Sequence, residues 1–222
     1  TMPLNDHFIY QPPTDALVTL YEDADFVVID KPAGLLSVMG RLPEHQDSAY
    51  LRILAVHPTA KVTHRLDMAT SGILMFAKHR AAEVAVSKMF QARTVKKSYI
   101  ALVQGKMQHE GSVDVPLIAD WNNRPRQMVH FELGKPAKTL YQLLEYDTEI
   151  NQSRVALKPI TGRSHQLRVH MQYLGHPIMG DKLYHPQPQS FQLLRMALHA
   201  SALSFPHPLQ HHPVEIVSTV PF

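Results

Sequence analysis

The chain has 222 residues, contains no cysteine, and carries 22 Lys and Arg against 19 Asp and Glu, for a net charge of +3 at pH 7. The lack of cysteine excludes disulfides, thiolate nucleophiles and the usual zinc frameworks, and leaves histidines and carboxylates as the strong metal ligands. No apolar run reaches the ~20 residues of a membrane span, and the N-terminus lacks the apolar core of a signal peptide, so we expect a soluble, cytoplasmic protein. The mild charge excess only hints at a nucleic-acid partner.

Apolar alternation and turn residues predict the elements of the first half of the chain. Residues 17–21 and 26–29 flank an acidic turn, which is typical of a β-hairpin. Ser48 is placed to cap a short helix, and the Ala-rich stretch 80–92 predicts a second helix. Between these two helices, the apolar run 73–77 predicts a buried strand.

The second half is rich in predicted strands. They lie at residues 98–103, 112–118, 127–133, 139–146, 154–157, 198–205 and 214–220. Ser164 is a plausible N-cap for a helix that carries Leu167, Met171 and Leu174 on one face and ends at Gly175. Few helices among many hairpin-connected strands predict a single α+β domain, with a mostly antiparallel mixed central sheet flanked by helices and loops.

The segment 64–72, which reads His-Arg-Leu-Asp-Met-Ala-Thr-Ser-Gly, is the first candidate for chemistry. It is expected to form a tight loop at the mouth of the buried strand, where Asp67 must be paired or hydrogen-bonded. Enzymes use such carboxylates as nucleophiles or bases. From these residues alone, a structural Asx turn beside a surface Arg65 is an equally good interpretation.

Two further polar residues fall in apolar settings. Strand alternation places Tyr99 on an inward face, where a core tyrosine bonded to a backbone carbonyl is the commoner outcome. Arg168 lies between Leu167 and Val169 and is expected to be partly buried, which demands a carboxylate or phosphate partner. Asp67 is a candidate for that partner, and a solvated helix face is the alternative.

Two loops stand out. In the segment 30–38, a strand is followed by a Pro/Gly turn, which suits either an active-site support or a plain connector. The loop 120–126 combines the only tryptophan with two arginines, a composition suited to stacking on a base and gripping phosphate. For Trp121 alone, packing onto the core of an ordinary hairpin loop is the favoured interpretation.

These motifs, in this order, resemble the RluA family of pseudouridine synthases from Leu17 onward. The block 64–67 with 70–72 resembles the family's signature, and the segments 161–170 and 174–181 match its C-terminal motif. The resemblance implies the family's catalytic fold and the isomerisation of specific uridines in structured RNA to pseudouridine. One departure is an Asp-Lys-Pro sequence where the family usually has Asn-Lys-Pro, which concerns only a supporting turn.

The resemblance also implies roles for individual residues. Asp67 would be the catalytic carboxylate, Tyr99 the aromatic residue that stacks on the target uracil, and Arg168 the partner of Asp67. Arg65 would help to fill the space that the flipped base leaves. Contacts with RNA are expected from Lys31, His64, Arg65, Arg124, Arg126, Arg163 and His165.

Many relatives carry an N-terminal RNA-binding domain of the S4 type, for which the residues before Leu17 are too few. We therefore expect residues 1–16 to be an N-terminal extension and residues 17–222 to be the catalytic domain. The loops 37–42 and 120–125 resemble those of a compact subgroup that modifies both 23S ribosomal RNA and a tRNA anticodon stem-loop. These two RNAs are the expected partners, and neither a membrane nor an obligate protein partner is inferred.

Neither a cofactor nor a metal is expected, because the isomerisation exchanges no atoms or electrons with another molecule. Two other function classes compete with this one. A non-catalytic RNA-binding protein could retain the same fold. A metal-dependent phosphoesterase is suggested by the 15 histidines, although their scatter lacks a ligand pattern.

Overall fold

The computed structural model describes residues 8–222. The strands in this range are β1 (Val18–Glu22), β2 (Phe26–Lys31), β3 (Lys61–Val62), β4 (Ser71–Ala77), β5 (Lys96–Gln104), β6 (Glu110–Asp114), β7 (Leu117–Ala119), β8 (Gln127–Val129), β9 (Lys138–Asp147), β10 (Gln152–Pro159), β11 (Leu198–Pro206) and β12 (Pro213–Val217). The α-helices are α1 (Ala49–Val56), α2 (Arg80–Gln91) and α3 (Gln166–Tyr173). Part of the predicted N-terminal extension, 1–16, lies outside the described residues, so the domain boundaries stay a prediction.

The chain divides into two compact units. Unit A comprises residues 9–97 and 199–221, and unit B comprises residues 98–198 with Phe8 and Phe222. Within the two units the strand pairings are antiparallel except for a parallel pairing of β4 with β11, which confirms the predicted α+β class with mixed, mostly antiparallel strands. Within the described range, no helix is long and apolar enough to cross a membrane.

Strand β4 forms the centre of unit A. It pairs with β2 on one side and with β11 on the other, and all seven of its residues are buried. The predicted hairpin of β1 and β2 is confirmed. At the start of β4, Gly72 has a φ of 112°, and an added Cβ would lie 2.2 Å from the carbonyl oxygen of Ala200. Only glycine therefore permits the close approach of β4 and β11 at this point.

The two helices of unit A begin as predicted. The hydroxyl of Ser48 accepts a hydrogen bond of 3.1 Å from the backbone N–H of Leu51, which satisfies a free donor in the first turn of α1. Helix α2 starts at Arg80, where the predicted helix starts, and its buried residues Ala82 and Val86 lie one turn apart.

Unit B contains the antiparallel strands β5, β10, β9 and β6 and the separate two-stranded ribbon of β7 and β8. In β5 the side chains of Tyr99, Ala101 and Val103 are buried and alternate with less buried neighbours, which confirms the predicted inward face. On the paired strand β10, Val155 and Leu157 are fully buried.

Two predicted strands of unit B are wrong in extent. The predicted strand 112–118 is two strands, because Pro116 has no N–H for a ladder hydrogen bond and the chain leaves β6 before it to enter β7. The predicted strand 127–133 is only the three-residue β8. Beyond it, the chain turns, and the carbonyl of His130 accepts a hydrogen bond of 2.8 Å from the backbone N–H of Gly134.

The start of α3 also differs from the prediction. Ser164 is not the N-cap, because His165 takes that position in the left-handed conformation, with a φ of 54°, and its side chain caps no N–H. Instead, the buried side chain of Gln166 accepts hydrogen bonds from the Arg163 backbone N–H (3.0 Å) and from the Thr161 hydroxyl (2.7 Å). These bonds hold the loop that leads into the helix.

Candidate active site

The loop that carries Asp67 is held by its backbone. The amide of Leu66 donates to the hydroxyl of Ser37 at 3.0 Å, and that hydroxyl donates to the Leu66 carbonyl at 2.6 Å. A backbone hydrogen bond of 3.1 Å from Thr70 to the carbonyl of Asp67 closes the turn. Leu66 is buried beneath the loop, and Asp67 is half-buried. The structure thus confirms the predicted tight loop.

The segment 30–38 supports this loop and is not a plain connector. The carbonyl of Met68 accepts hydrogen bonds from the Gly34 N–H (2.8 Å) and from the Lys31 ammonium (3.1 Å). Lys31 is fully buried and also donates to the carbonyls of Pro32 (2.8 Å) and Leu35 (2.7 Å). Since an ammonium has three donors, this arrangement leaves none for a phosphate. We therefore replace the predicted RNA contact of Lys31 with a role in positioning the loop.

A chain of buried hydrogen bonds fixes the strand that follows the loop. The Ser71 hydroxyl lies 2.7 Å from His199 Nδ1, and His199 Nε2 lies 2.9 Å from the Ser218 hydroxyl, which donates to Asp30 at 3.0 Å. All four residues belong to unit A. Both ring nitrogens of His199 are thus within hydrogen-bond distance of a serine hydroxyl. This chain of hydrogen bonds anchors the start of β4, directly after the Asp67 loop.

The two residues that open the motif lie in contrasting environments. His64 accepts a hydrogen bond of 3.0 Å from the Met75 N–H at Nε2. Burial lowers the pKa of His64 to about 3, and the positive charge of Lys97 lowers it in the same direction. His64 is therefore uncharged at neutral pH. Its predicted contact with RNA cannot be an ion pair with a phosphate. Arg65, by contrast, is exposed and makes no hydrogen bond or ion pair with residues 8–222.

Arg168 is buried on α3 in unit B, as predicted, and its carboxylate partner within that unit is Asp181. The guanidinium donates from Nε and Nη2 to the two oxygens of Asp181 at 2.8 Å and 2.7 Å, and Asp181 is fully buried. The Leu183 and Tyr184 amides also donate to this carboxylate, at 2.9 Å and 3.2 Å. Sequence reasoning placed Asp181 in a motif but gave it no role. The pairing of Arg168 with Asp67 stays a prediction.

Tyr184, which sequence reasoning missed, brings together three of the predicted residues. Its buried ring lies 5.1 Å from the Arg168 guanidinium and 5.3 Å from that of Arg126. Its hydroxyl lies 2.6 Å from His165 Nδ1 and accepts a hydrogen bond of 2.8 Å from the Gln127 N–H. Helix α3, the start of β8 and the segment after Asp181 therefore meet at one side chain.

The other predicted RNA contacts of unit B lie at the surface. Arg163 is exposed and donates from Nε to the carbonyl of Pro136 at 2.9 Å. Arg124 is exposed, and its guanidinium lies 4.1 Å from the centre of the Trp121 ring. Trp121 itself is 65% exposed, so the expectation that it packs onto the core is wrong.

One group of three potential metal ligands occurs within residues 8–222, formed by Asp23, Asp25 and His207 in unit A. His207 lies with Nε2 2.9 Å from Asp23, while its Nδ1 accepts from the Leu209 and Gln210 amides at 3.2 Å and 3.0 Å. The imidazole proton is therefore on Nε2 and points at the carboxylate. These hydrogen bonds connect the turn between β1 and β2 to the residue that follows β11.

Comparisons with known proteins agree with these motifs. A family model described as RNA pseudouridylate synthase matches residues 25–173, a span that includes Asp67, Tyr99 and Arg168. The chain is 52% identical over 201 residues to "Dual-specificity RNA pseudouridine synthase RluA" of Escherichia coli K12, which covers 90% of this chain and 91% of that protein. It is 50% identical to the protein of the same name from Vibrio parahaemolyticus, with 91% and 83% covered. The solved structure of human RNA Pseudouridylate Synthase Domain Containing 1 matches with a TM-score of 0.79 at 30% identity and covers 96% of this chain and 87% of that one.

Proposed function

This chain belongs to the RNA pseudouridylate synthase family and is an isomerase that acts on RNA, and we propose that its substrates are uridines in 23S ribosomal RNA and in a tRNA anticodon stem-loop. The observation that carries this proposal is the 52% identity, over nine tenths of both chains, to relatives whose name includes dual specificity. A cytoplasmic location follows as part of the proposal, because both RNAs are found there. Membership of an enzyme family also favours catalysis over the alternative of a non-catalytic RNA-binding protein.

The reaction breaks the bond between ribose C1′ and uracil N1 and forms a bond between C1′ and C5. A proton leaves C5 and one is gained at N1, so atoms and electrons balance without a co-reactant. We propose that Asp67 is the carboxylate that acts at the sugar, either by attack on C1′ or as a base. The hydrogen bonds between Ser37 and Leu66 and from Thr70 to the Asp67 carbonyl support this role, because a rigid loop holds the carboxylate in place without further loss of entropy.

Arg168 and Tyr99 are proposed to complete the site. Arg168 would hold the Asp67 carboxylate in position, and its bidentate bond to Asp181 supports that role because the guanidinium is already fixed. Tyr99 would hold the freed uracil while it turns and would assist the loss of the C5 proton. The buried, inward position of Tyr99 on β5 is compatible with a base-stacking role.

RNA binding requires the target base to leave its stack, at a cost of a few kcal/mol. We propose that Arg65 takes the place of the flipped base, since it is exposed and makes no hydrogen bond or ion pair with the described residues. Arg124, Arg126, Arg163 and His165 would contact the RNA from unit B. Their phosphate contacts offset part of the flipping cost.

The most direct test of the substrates is a map of pseudouridine in total RNA from cells with and without the gene. We expect a loss at one position in 23S ribosomal RNA and at one in a tRNA anticodon stem-loop. Both positions should return when the wild-type gene is supplied in trans. A loss in only one RNA would refute dual specificity, and unchanged maps would refute both substrates.

A further inference from the structure

The loop between β7 and β8 presents an exposed aromatic ring. Trp121 is the only tryptophan of the chain, and 65% of its surface is accessible. A tryptophan offers a large, flat apolar ring, which can stack on the face of a nucleobase.

The loop orders this ring together with a cation. The Arg124 guanidinium lies 4.1 Å from the centre of the indole ring, which is a close stacking distance. Hydrogen bonds close the loop, from the Asp120 N–H to the Arg126 carbonyl (2.9 Å) and from the Asn123 side chain to the Asp120 carboxylate (2.9 Å). The aromatic and cationic groups are therefore held next to each other before any ligand arrives.

A second guanidinium at the end of the loop lacks a counter-charge. Arg126 is half-buried against the ring of Tyr184, and its Nε is buried without a hydrogen-bond partner. Its side chain forms no ion pair with residues 8–222. Because buried donors are nearly always satisfied, an acceptor that residues 8–222 do not supply is expected here. Tyr184 also contacts Arg168, so this loop adjoins a residue of the proposed catalytic set within unit B.

We propose that Trp121 and Arg124 form a stacking subsite for an unpaired base of the substrate RNA, other than the target uridine, and that Arg126 binds a neighbouring phosphate. This inference rests on the proposed function, because it takes RNA as the ligand. A flat ring stacked with a guanidinium matches the π-face of any nucleobase, and the nearby unpaired cation matches the backbone that carries this base. The subsite therefore selects for single-stranded loops over duplexes.

The single tryptophan makes the subsite observable in the wild-type protein. We would titrate it with a tRNA anticodon stem-loop and with an RNA duplex of equal length, while following Trp121 fluorescence and, separately, the anisotropy of labelled RNA. We expect the stem-loop to quench the fluorescence in step with binding and to shield the ring from acrylamide. The duplex should quench it far less.

Variants test the same subsite by affinity. Trp121→Ala should weaken stem-loop binding by roughly 5- to 150-fold, the range found for loss of one stacked base, whereas Trp121→Phe should retain most of the affinity. Phe131→Ala is the matched control, because Phe131 is 70% exposed in the same unit but makes no cation–π contact with an arginine among residues 8–222. We expect this control to bind as the wild type does.

The outcomes separate the two proposals. If the stem-loop binds and gains pseudouridine while Trp121 fluorescence and the affinity of Trp121→Ala stay unchanged, the subsite is refuted and the proposed function stands. If Trp121→Ala loses turnover at unchanged affinity, the stacking role is also refuted. If the wild type neither binds nor modifies the stem-loop, the proposed tRNA substrate fails, and the subsite fails with it.

Discussion

The charged side chains around Asp67 and Arg168 are held by groups of their own unit. The Lys31 ammonium is bonded to three carbonyls, and the Arg168 guanidinium is bonded to the Asp181 carboxylate. A buried charge that loses its partner is costly, because neither water nor another group can replace that partner. These residues therefore couple the stability of the protein to the geometry of its candidate site.

For this reason Asp181→Asn is expected to be strongly destabilising. It removes the charge of the buried carboxylate that binds the Arg168 guanidinium within unit B, and we expect the free energy of unfolding to fall by about 3–5 kcal/mol. The control is Glu83→Gln, which removes a surface ion pair with Arg80 and should cost at most about 1 kcal/mol. Urea denaturation measures both. Equal losses in the two variants would contradict the account of the buried pair.

The lowered pKa of His64 predicts how the stability of the protein depends on pH. This pKa is about 3 in the folded protein against 6.5 in a model peptide. Between these values the unfolded chain binds more protons, so the free energy of unfolding falls as the pH drops below about 6.5. The variant His64→Gln has no titrating side chain at this position, so this loss of stability at low pH is absent. From pH 7 to pH 5 we expect the variant to lose roughly 1–2 kcal/mol less stability than the wild type does.

Urea denaturation of both proteins at the two pH values measures this difference. Glutamine is the suitable replacement, because its side-chain oxygen can still accept the hydrogen bond from Met75. Parallel losses of stability in the two proteins would show that His64 is not the group responsible.

At the scale of elements, the loop that carries Asp67 depends on the segment 30–38. The Ser37 hydroxyl satisfies both the amide and the carbonyl of Leu66 and is itself buried. Together with the bond from the Lys31 ammonium to the Met68 carbonyl, this ties the loop to a distant part of the sequence. A loop held in this way keeps a catalytic group in its productive position.

Ser37→Ala should therefore affect catalysis more than RNA binding. It leaves two buried backbone groups unsatisfied, and we expect a loss of about 1–3 kcal/mol of stability together with a lower kcat and a nearly unchanged Kd for RNA. Ser190→Ala is the control, since it removes an exposed hydroxyl that bonds only the Gln187 carbonyl. A wild-type kcat for Ser37→Ala would refute the positioning role of this loop.

Elements with clear local signals could be predicted from the sequence. The β1–β2 hairpin, the Ser48 cap and the inward face of β5 follow from alternation and capping rules that act over a few residues. The errors arose where another part of the chain decides the conformation. The Gln166 side chain at the start of α3 donates to the Lys138 carbonyl and the Thr139 hydroxyl on β9. Beyond Pro116, the chain pairs as β7 with β8 and does not continue β6.

The candidate site was predictable only in part. Asp67, Tyr99 and Arg168 lie in motifs with recognisable order. Their supports, Ser37 and Tyr184, were missed because each contacts residues 19 to 57 positions away. Spacing along the chain carries no signal for such contacts. Trp121 was misjudged because composition alone cannot tell whether an aromatic ring is buried or presented to a ligand.

At the scale of the whole molecule, a net charge of +3 is too small to account for RNA affinity by itself. Affinity and specificity must then come from groups at particular positions, such as the exposed Arg65, Arg124 and Arg163. The similarity to dual-specificity synthases also extends over nine tenths of the chain, which includes both units. The proposed function is therefore tested by measuring the conversion of uridine in RNA by the intact chain.

The central claim is that Asp67 carries out the isomerisation, and single-turnover conversion of uridine in an anticodon stem-loop tests it most directly. Pseudouridine is measured by chemical labelling with enzyme in excess over RNA, for the wild type and for Asp67→Asn. We predict that the variant folds and binds the RNA with an affinity within a few-fold of the wild type, while its conversion rate falls by at least about 10³-fold. Conversion by the bound variant at a rate close to that of the wild type would contradict the account.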